Sequence, residues 1–224
     1  MKVSIVQFPG TNCEYDTAYA FEKLGATTQI LWHKSQNIPE DTNLLVIAGG
    51  FSYGDYLRSG AIAKFSPVMK AVVAYAAKGG KVLGICNGFQ VLTEAGLLPG
   101  ALKRNEGLHF ISKHQLLKVT NNDNVFLKKL SKGEILNIPI AHHDGNYYIN
   151  EEGLKELYKN DQILLTYCDA DANVQNPNGS VDSIAGVCNK EKNVFGLMPH
   201  PERAMETILG SDDGLKMLQG FLES

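Results

Sequence analysis

K-V-L-G-I-C-N-G-F-Q-V-L-T-E-A-G, residues Lys81–Gly96, decides how the rest of this sequence is read. Lys81–Ile85 is a short apolar run introduced by Gly79-Gly80 and reads as a buried strand, while Phe89–Ala95 reads as a helix stopped by Gly96. Cys86 then falls on a sharp strand-to-helix turn. Gly84 and Gly88 flank it at two-residue spacing, the small-residue pattern that lets a strained turn lift a nucleophile above a sheet, as in G-x-S-x-G enzymes. A thiol placed there also meets the partial positive charge and free N–H groups of a helix N-terminus, which favour the thiolate. Taken alone, a cysteine after an apolar strand is more often a packing residue. A catalytic reading of Cys86 needs a base elsewhere in the chain.

Outward from this stretch, Leu44–Ala48 is apolar throughout, as expected for a parallel strand covered on both faces, and Pro39–Asn43 before it is a loop. Thr28–Trp32 reads as a strand. Lys2–Phe8 is β-rich and ends at Pro9-Gly10, after which Thr11 or Asn12 can cap a helix over Glu14–Leu24 with Gly25 as its stop. The opening is therefore β-α-β-loop-β. Gly49–Gly60, G-G-F-S-Y-G-D-Y-L-R-S-G, follows a buried strand directly, which is where open α/β sheets carry ligand-binding loops. Ser66-Pro67 starts a helix reaching about Lys78, with proline at the first helical position.

Beyond Gly96 the pattern changes. Pro99–Glu106 is a loop, and the short runs Leu108–Ser112, Leu116–Thr120, Glu134–Ile138 and Tyr147–Ile149 suggest an antiparallel extension of the sheet. P-I-A-H-H-D-G-N, Pro139–Asn146, reads as a solvated turn: its adjacent His142, His143 and Asp144 have no further Cys or His at metal-ligand spacing. Glu151–Asn160 predicts a short amphipathic helix, Ile163–Tyr167 a strand, and Asn176–Ser180 a turn. Ile184–Cys188 and Val194–Leu197 form a hairpin-like pair, and a last helix covers Gly214–Leu222.

With 224 residues, 44% hydrophobic and 20% charged, the composition is that of an ordinary globular chain, and a single domain over residues 1–224 is expected. No apolar run is long enough to span a bilayer and no secretory h-region opens the sequence, so a cytoplasmic protein is expected. A net charge of −3 without a basic cluster gives no footprint for nucleic acid. Cys13, Cys86, Cys168 and Cys188 form no C-x-x-C pair, which indicates reduced thiols rather than a zinc site or a disulfide framework.

The base comes from M-P-H-P-E-R, Met198–Arg203. Met198 and His200 each precede a proline, so this backbone is stiff and biased toward extended geometry, where residues two apart point the same way. His200 and Glu202 can then lie side by side. A carboxylate accepting one ring N–H fixes the imidazole tautomer and leaves the other nitrogen free to take a proton from a thiol. Together these residues specify acyl transfer through a thioester on Cys86, with His200 as base and then acid and Glu202 as its orienting partner. The oxyanion would be held by backbone N–H groups, that of Asn87 and one from the Gly49-Gly50 loop.

G-x-C-x-G-x-Q, met by Gly84, Cys86, Gly88 and Gln90, with the later P-H-P-E, resembles the class I (triad) glutamine amidotransferases. F-P-G-T-N-C-E at Phe8–Glu14, G-G-F-S-Y-G-D-Y-L-R at Gly49–Arg58, G-I-C-N-G-F-Q, N-P-N-G-S…I-A-G at Asn176–Gly186 and M-P-H-P-E-R are similar to the glutaminase-subunit family of phosphoribosylformylglycinamidine synthases, in order over nearly the whole chain. The resemblance implies a doubly wound, flavodoxin-like α/β fold, with a mostly parallel sheet, helices on both faces and a small antiparallel extension. It implies release of ammonia from L-glutamine, giving glutamate. The ammonia passes to a large ATP-dependent synthetase subunit, usually accompanied by a small third subunit, that amidates formylglycinamide ribonucleotide in purine biosynthesis.

By the family's pattern Cys86, His200 and Glu202 form the triad, Gly50 and Asn87 the oxyanion hole, and Gln90 contacts the substrate. No cofactor is expected on this chain, with ATP and Mg on the partner. In agreement, the sequence contains no G-x-x-x-x-G-K-[ST] phosphate loop. H-H-D-G at His142–Gly145 departs from the His-Gly-Glu-Gly expected there. A glutaminase serving another pathway, a free-standing cysteine hydrolase and a non-enzymatic regulator on the same fold are the competing readings.

Overall fold

The computed structural model describes residues 1–222. Its first half alternates strands and helices: β1 (Lys2–Gln7), α1 (Glu14–Lys23), β2 (Thr27–Trp32), β3 (Leu44–Ile47), α2 (Pro67–Ala77), β4 (Lys81–Ile85) and α3 (Asn87–Glu94). The second half is richer in strands: β5 (Ala101–Lys103), β6 (Ile111–Val119), β7 (Ile135–His142), β8 (Asn146–Tyr148), α4 (Glu151–Lys159), β9 (Ile163–Cys168), β10 (Ile184–Cys188), β11 (Val194–Leu197) and α5 (Asp213–Leu222). Nine strands form one sheet in the order β2-β1-β3-β4-β11-β10-β9-β6-β7, and β5 pairs with β8 apart from it.

Pairing is parallel from β2 across to β11 and antiparallel from there to β7. All the parallel strands therefore end along one edge of the sheet. The chain steps one way from β1 to β2 and the opposite way from β3 to β4, so right-handed crossovers place α1 and α2 on opposite faces. This is the doubly wound α/β arrangement, with its reversal between β1 and β3. β11 shows both layers in successive residues. Phe195 meets Phe126 at 5.4 Å between ring centroids, Phe126 meets Phe221 of α5 at 5.3 Å, and α1 joins them through Phe21. Gly196 faces the other way, where a Cβ would lie 2.2 Å from Phe89 of α3. Leu44–Ile47 is fully buried, as a strand covered on both faces requires.

Four local expectations change, the first being that β5 lies within Pro99–Glu106, where a loop was expected, and finds its partner in β8. β6 is one continuous strand where two short ones were expected, because the ladder to β7 carries through the polar residues Lys113–Gln115. β7 runs on through Pro139 to His142, where a turn was expected. β7 is an edge strand, so a proline without an N–H leaves no ladder bond broken. The helix-capping role expected of Thr11 or Asn12 is absent: Cys13 is the N-cap residue of α1 and makes no side-chain cap bond. Thr11 instead donates its hydroxyl to the Phe8 carbonyl at 2.8 Å.

The glycines around Cys86 are demanded by contact. A Cβ on Gly88 would lie 1.9 Å from the carbonyl oxygen of Ile47, and one on Gly84 would lie 2.8 Å from the Gly88 backbone. Gly88→Ala is expected to cost at least the upper end of the roughly 1–3 kcal/mol typical of overpacking, because the clash is with backbone. Gly107→Ala, whose Cβ would meet nothing closer than 3.9 Å, is the control and should stay within about 0.5 kcal/mol of the parent in urea unfolding.

Candidate active site

Four strand ends converge on one point of the carboxyl edge. Cys86 follows β4 with φ 51° and ψ −106°, a region that a side chain enters only when its surroundings hold it there. Its N–H donates to the Leu197 carbonyl of β11 at 2.8 Å and its carbonyl opens α3 by accepting from Gln90 N–H at 3.2 Å. The thiol is buried and donates to the Ala141 carbonyl, at the end of β7, at 3.6 Å. β11 delivers His200, whose backbone N–H is held by the Pro139 carbonyl at 2.8 Å.

His200 Nδ1 and Glu202 Oε1 lie 2.6 Å apart, both side chains almost wholly buried. The route to this pair differs from the extended one expected: His200 is near-extended, whereas Pro201–Arg203 closes into a single 3-10 turn. Burial opposes charge on the imidazole, but Glu202 and the Cys86 sulfur outweigh it and hold its pKa well above the ordinary range. His200 Nε2 is buried and makes no hydrogen bond, so the nitrogen opposite Glu202 is open.

The Gly49–Gly50 peptide is aimed by the turn after β1. Asn12 N–H and Cys13 N–H both donate to the Gly49 carbonyl at 3.4 Å, so the Gly50 N–H, on the opposite side of the same trans peptide, points away from that turn. A Cβ on Gly50 would lie 2.6 Å from the Asn12 nitrogen, which makes glycine obligatory. Asn87 is the first residue of α3, and its N–H has no acceptor within the helix. Its side chain ties the start of α3 to the loop beyond β3, accepting from Ser52 N–H at 3.0 Å and donating to Gln90 Oε1 at 2.8 Å.

Gln90 is buried with its other end donating to the Asp144 carbonyl at 2.7 Å, so it braces the site while bordering it. The expectation of a solvated turn over Pro139–Asn146 fails at His142. That ring is buried at the end of β7 with Nδ1 3.1 Å from Asn105 Oδ1. Burial, and then the charge on His200, push its pKa down to about 4. Asp144 is held by Ser59 Oγ at 2.9 Å, and His143 is the more open member of the run. Across this loop Asp55 is pushed up to about 6 by burial and by the charge of Asp144, against hydrogen bonds from Ser59 and Asn87.

Two residues escaped the sequence reading. Asn105 is fully buried and holds the His142 carbonyl at 2.9 Å and the Gly145 N–H at 3.0 Å. Nothing in its local sequence separates it from the loop around it. Cys13 stands against His200, with Sγ accepting from Arg203 Nη2 at 3.1 Å. The F-P-G-T-N-C run held the signal: it follows β1 directly and so lies on the edge where the other loops gather. Cys168 and Cys188 are buried packing residues, and the Cys188 thiol is pushed up to about 12 by its burial.

A buried thiol on a strained elbow beside an imidazole–carboxylate pair is an arrangement suited to thiol-dependent acyl transfer, the chemistry of the amidotransferase class. A family model described as a CobB/CobQ-like glutamine amidotransferase domain matches residues 1–213. The phosphoribosylformylglycinamidine synthase subunit PurQ of Sulfurimonas denitrificans is 78% identical over 100% of both chains, and that of Wolinella succinogenes 63% identical over 99% of both. A chain in the structure of PurLQS from Thermotoga maritima superposes with a TM-score of 0.89 at 41% identity, covering 99% of this chain and 97% of that one. The chain belongs to the glutamine amidotransferase family, among its PurQ subunits. Among the described residues no helix is long and apolar enough to cross a membrane.

His142 gives the site a pH signature. Its native pKa lies below the usual 6.5, so the unfolded chain takes up the proton first. Stability is full above pH 6.5 and falls as pH drops toward 4, by about 3 kcal/mol for this group alone. Urea midpoints recorded from pH 7 to pH 4.5 should fall less steeply for His142→Asn than for the parent.

Proposed function

We propose that the chain hydrolyses L-glutamine to glutamate and ammonia, and that the ammonia goes to the synthetase converting formylglycinamide ribonucleotide to formylglycinamidine ribonucleotide with ATP. The observation that carries this reading is the buried His200–Glu202 pair at 2.6 Å, open at Nε2 beside the Cys86 elbow. The PurQ relatives supply the pathway.

In this reading Glu202 accepts the Nδ1–H of His200 and fixes the tautomer. Nε2 already holds the proton taken from Cys86, as its raised pKa favours, when the thiolate Sγ bonds to the side-chain amide carbon of glutamine, and the carbonyl oxygen becomes an oxyanion held by Gly50 N–H and Asn87 N–H. Such donors contribute roughly 3 kcal/mol each. The C–N bond then breaks, His200 returns its proton to the departing nitrogen, and ammonia leaves a γ-glutamyl thioester on Cys86. Water, deprotonated by the same nitrogen, attacks the thioester and releases glutamate. Gln90 and the Asp144 loop border the substrate. No cofactor takes part on this chain, and ATP and Mg bind the large synthetase subunit, which works with a small third subunit.

The surface beside the oxyanion loop fits such a partner. Phe51, Tyr56, Leu57 and Phe65 are exposed together with Tyr53, Asp55 and Leu57 in left-handed backbone, a strained apolar edge leading to Gly50. Docking there would couple hydrolysis to demand.

Cys86→Ser is expected to abolish glutamate release, and Glu202→Gln to lower it by roughly 10²–10⁴-fold, the range of general acid–base catalysis. Steady-state assays with and without the synthetase, ATP and formylglycinamide ribonucleotide test the coupling. Turnover should be weak alone and rise on complex formation. Equal turnover in both conditions would mean a free-standing glutaminase instead.

A further inference from the structure

We propose, on the glutaminase reading of the site, that Asn178 is a positioning residue for glutamine: it holds the Gly145 carbonyl, and through the Asp144 peptide it sets Gln90 against the substrate. Asn178 is buried, and Ser180 settles which way its amide faces. Its Oδ1 accepts from Ser180 N–H at 3.1 Å and from Ser180 Oγ at 2.8 Å, so Nδ2 is the end turned to the Gly145 carbonyl, to which it donates at 2.8 Å. The N-P-N-G-S loop behind it is closed on itself. Asn176 Oδ1 accepts from Gly179 N–H at 2.8 Å, and Asn176 Nδ2 donates to the Ser180 carbonyl at 2.7 Å. The Asn178 carbonyl accepts from Glu106 N–H at 3.0 Å. Asn178 therefore stands on a support that does not depend on the segment it grips.

That segment leads straight to the substrate side of the site. The Asp144 carbonyl accepts from Gln90 Nε2 at 2.7 Å, Gln90 Oε1 accepts from Asn87 Nδ2 at 2.8 Å, and Asn87 Oδ1 accepts from Ser52 N–H at 3.0 Å. A chain of hydrogen bonds thus runs from Asn178 to the loop beyond β3, broken only by the covalent link of Asp144 to Gly145. On its other side Gly145 is held by Asn105, which accepts its N–H at 3.0 Å, and its Cα is pressed so close to the His142 ring that a side chain there would collide with Nδ1. Two buried asparagines, one at the N–H and one at the carbonyl, fix where this residue lies.

The reacting groups are anchored elsewhere, Cys86 N–H on the Leu197 carbonyl and His200 N–H on the Pro139 carbonyl. Losing the grip of Asn178 should therefore loosen the substrate and leave the triad in place. Asn178→Asp tests this without opening a cavity, because it keeps the size of the side chain and its Oδ1 acceptor but replaces the donor facing Gly145 by a second acceptor. The Gly145 carbonyl is then left facing an oxygen.

The measurement is glutamate release by the chain in complex with the synthetase, ATP and formylglycinamide ribonucleotide. Asn178→Asp should raise the KM for L-glutamine by about tenfold or more, the scale of one buried hydrogen bond lost, with kcat little changed, which is the pattern of lost ground-state binding. Ser180→Ala removes one of the two donors that orient the amide and should raise KM by a smaller factor. Alkylation of Cys86 by iodoacetamide should keep its parental rate in both variants. A purely structural role would lower the urea midpoint and leave KM where it was, so a parental KM in folded Asn178→Asp would overturn the proposal. If that variant does not fold, a parental KM in Ser180→Ala overturns it instead. A fall in kcat at unchanged KM would do the same. A parent chain that releases no glutamate even in the complex would overturn the glutaminase reading, and the role of Asn178 with it.

Discussion

The contact on which the rest of this molecule depends is between two pieces of backbone: the first turn of α3 pressed against the carbonyl end of β3. It exists because Gly88 has no side chain, and Gly84 repeats the requirement one layer below. With the helix start pulled down onto the sheet, the chain between β4 and α3 has room for a single residue, and Cys86 takes the strained conformation that results. The same contact orients Asn87, whose side chain reaches Ser52 on the loop beyond β3. The elbow and the Gly49–Gly50 loop are thus one construction. The turn after β1 completes it by gripping the Gly49 carbonyl.

Electrostatics refine what the backbone places. The pair of His200 and Glu202 would be costly to bury if either were left alone. Arg203 adds the balancing charge, anchored outward on Asp16. His142 nearby is held neutral by burial and by the charge on His200, so a second histidine in the same wall carries no competing charge at neutral pH. Asn105, uncharged and fully buried, takes up the hydrogen bonds that a solvated turn would have left to water.

Much of this was legible in the sequence where a local rule and the fold agree. The run Lys81–Gly96 declares strand, turn and helix in sixteen residues, and glycine on both sides of Cys86 has a single steric explanation. Proline on both sides of His200 likewise narrows its backbone before any partner is known. The rest depends on distance along the chain. Lys113–Gln115 looks like a break because polar residues interrupt the apolar pattern, yet pairing with β7 carries the strand across it. His142 looks exposed beside His143 and Asp144, and only the extension of β7 past Pro139 turns it inward. Cys13 belongs to the site through its meeting with His200, a pairing that no window of sequence contains.

The position of β11 carries a consequence for synthesis. It is the last strand in chain order among the described residues, yet it lies near the middle of the sheet, between β4 and β10, and His200 follows its end. The two halves of the sheet can close on each other only once the chain has been made as far as β11. Such long-range pairing is the kind that closes slowly compared with the local contacts of helical proteins. Until that closure Cys86 has no imidazole beside it, and afterwards the thiol is covered. The pairing of Cys86 with His200 therefore arrives together with the finished fold.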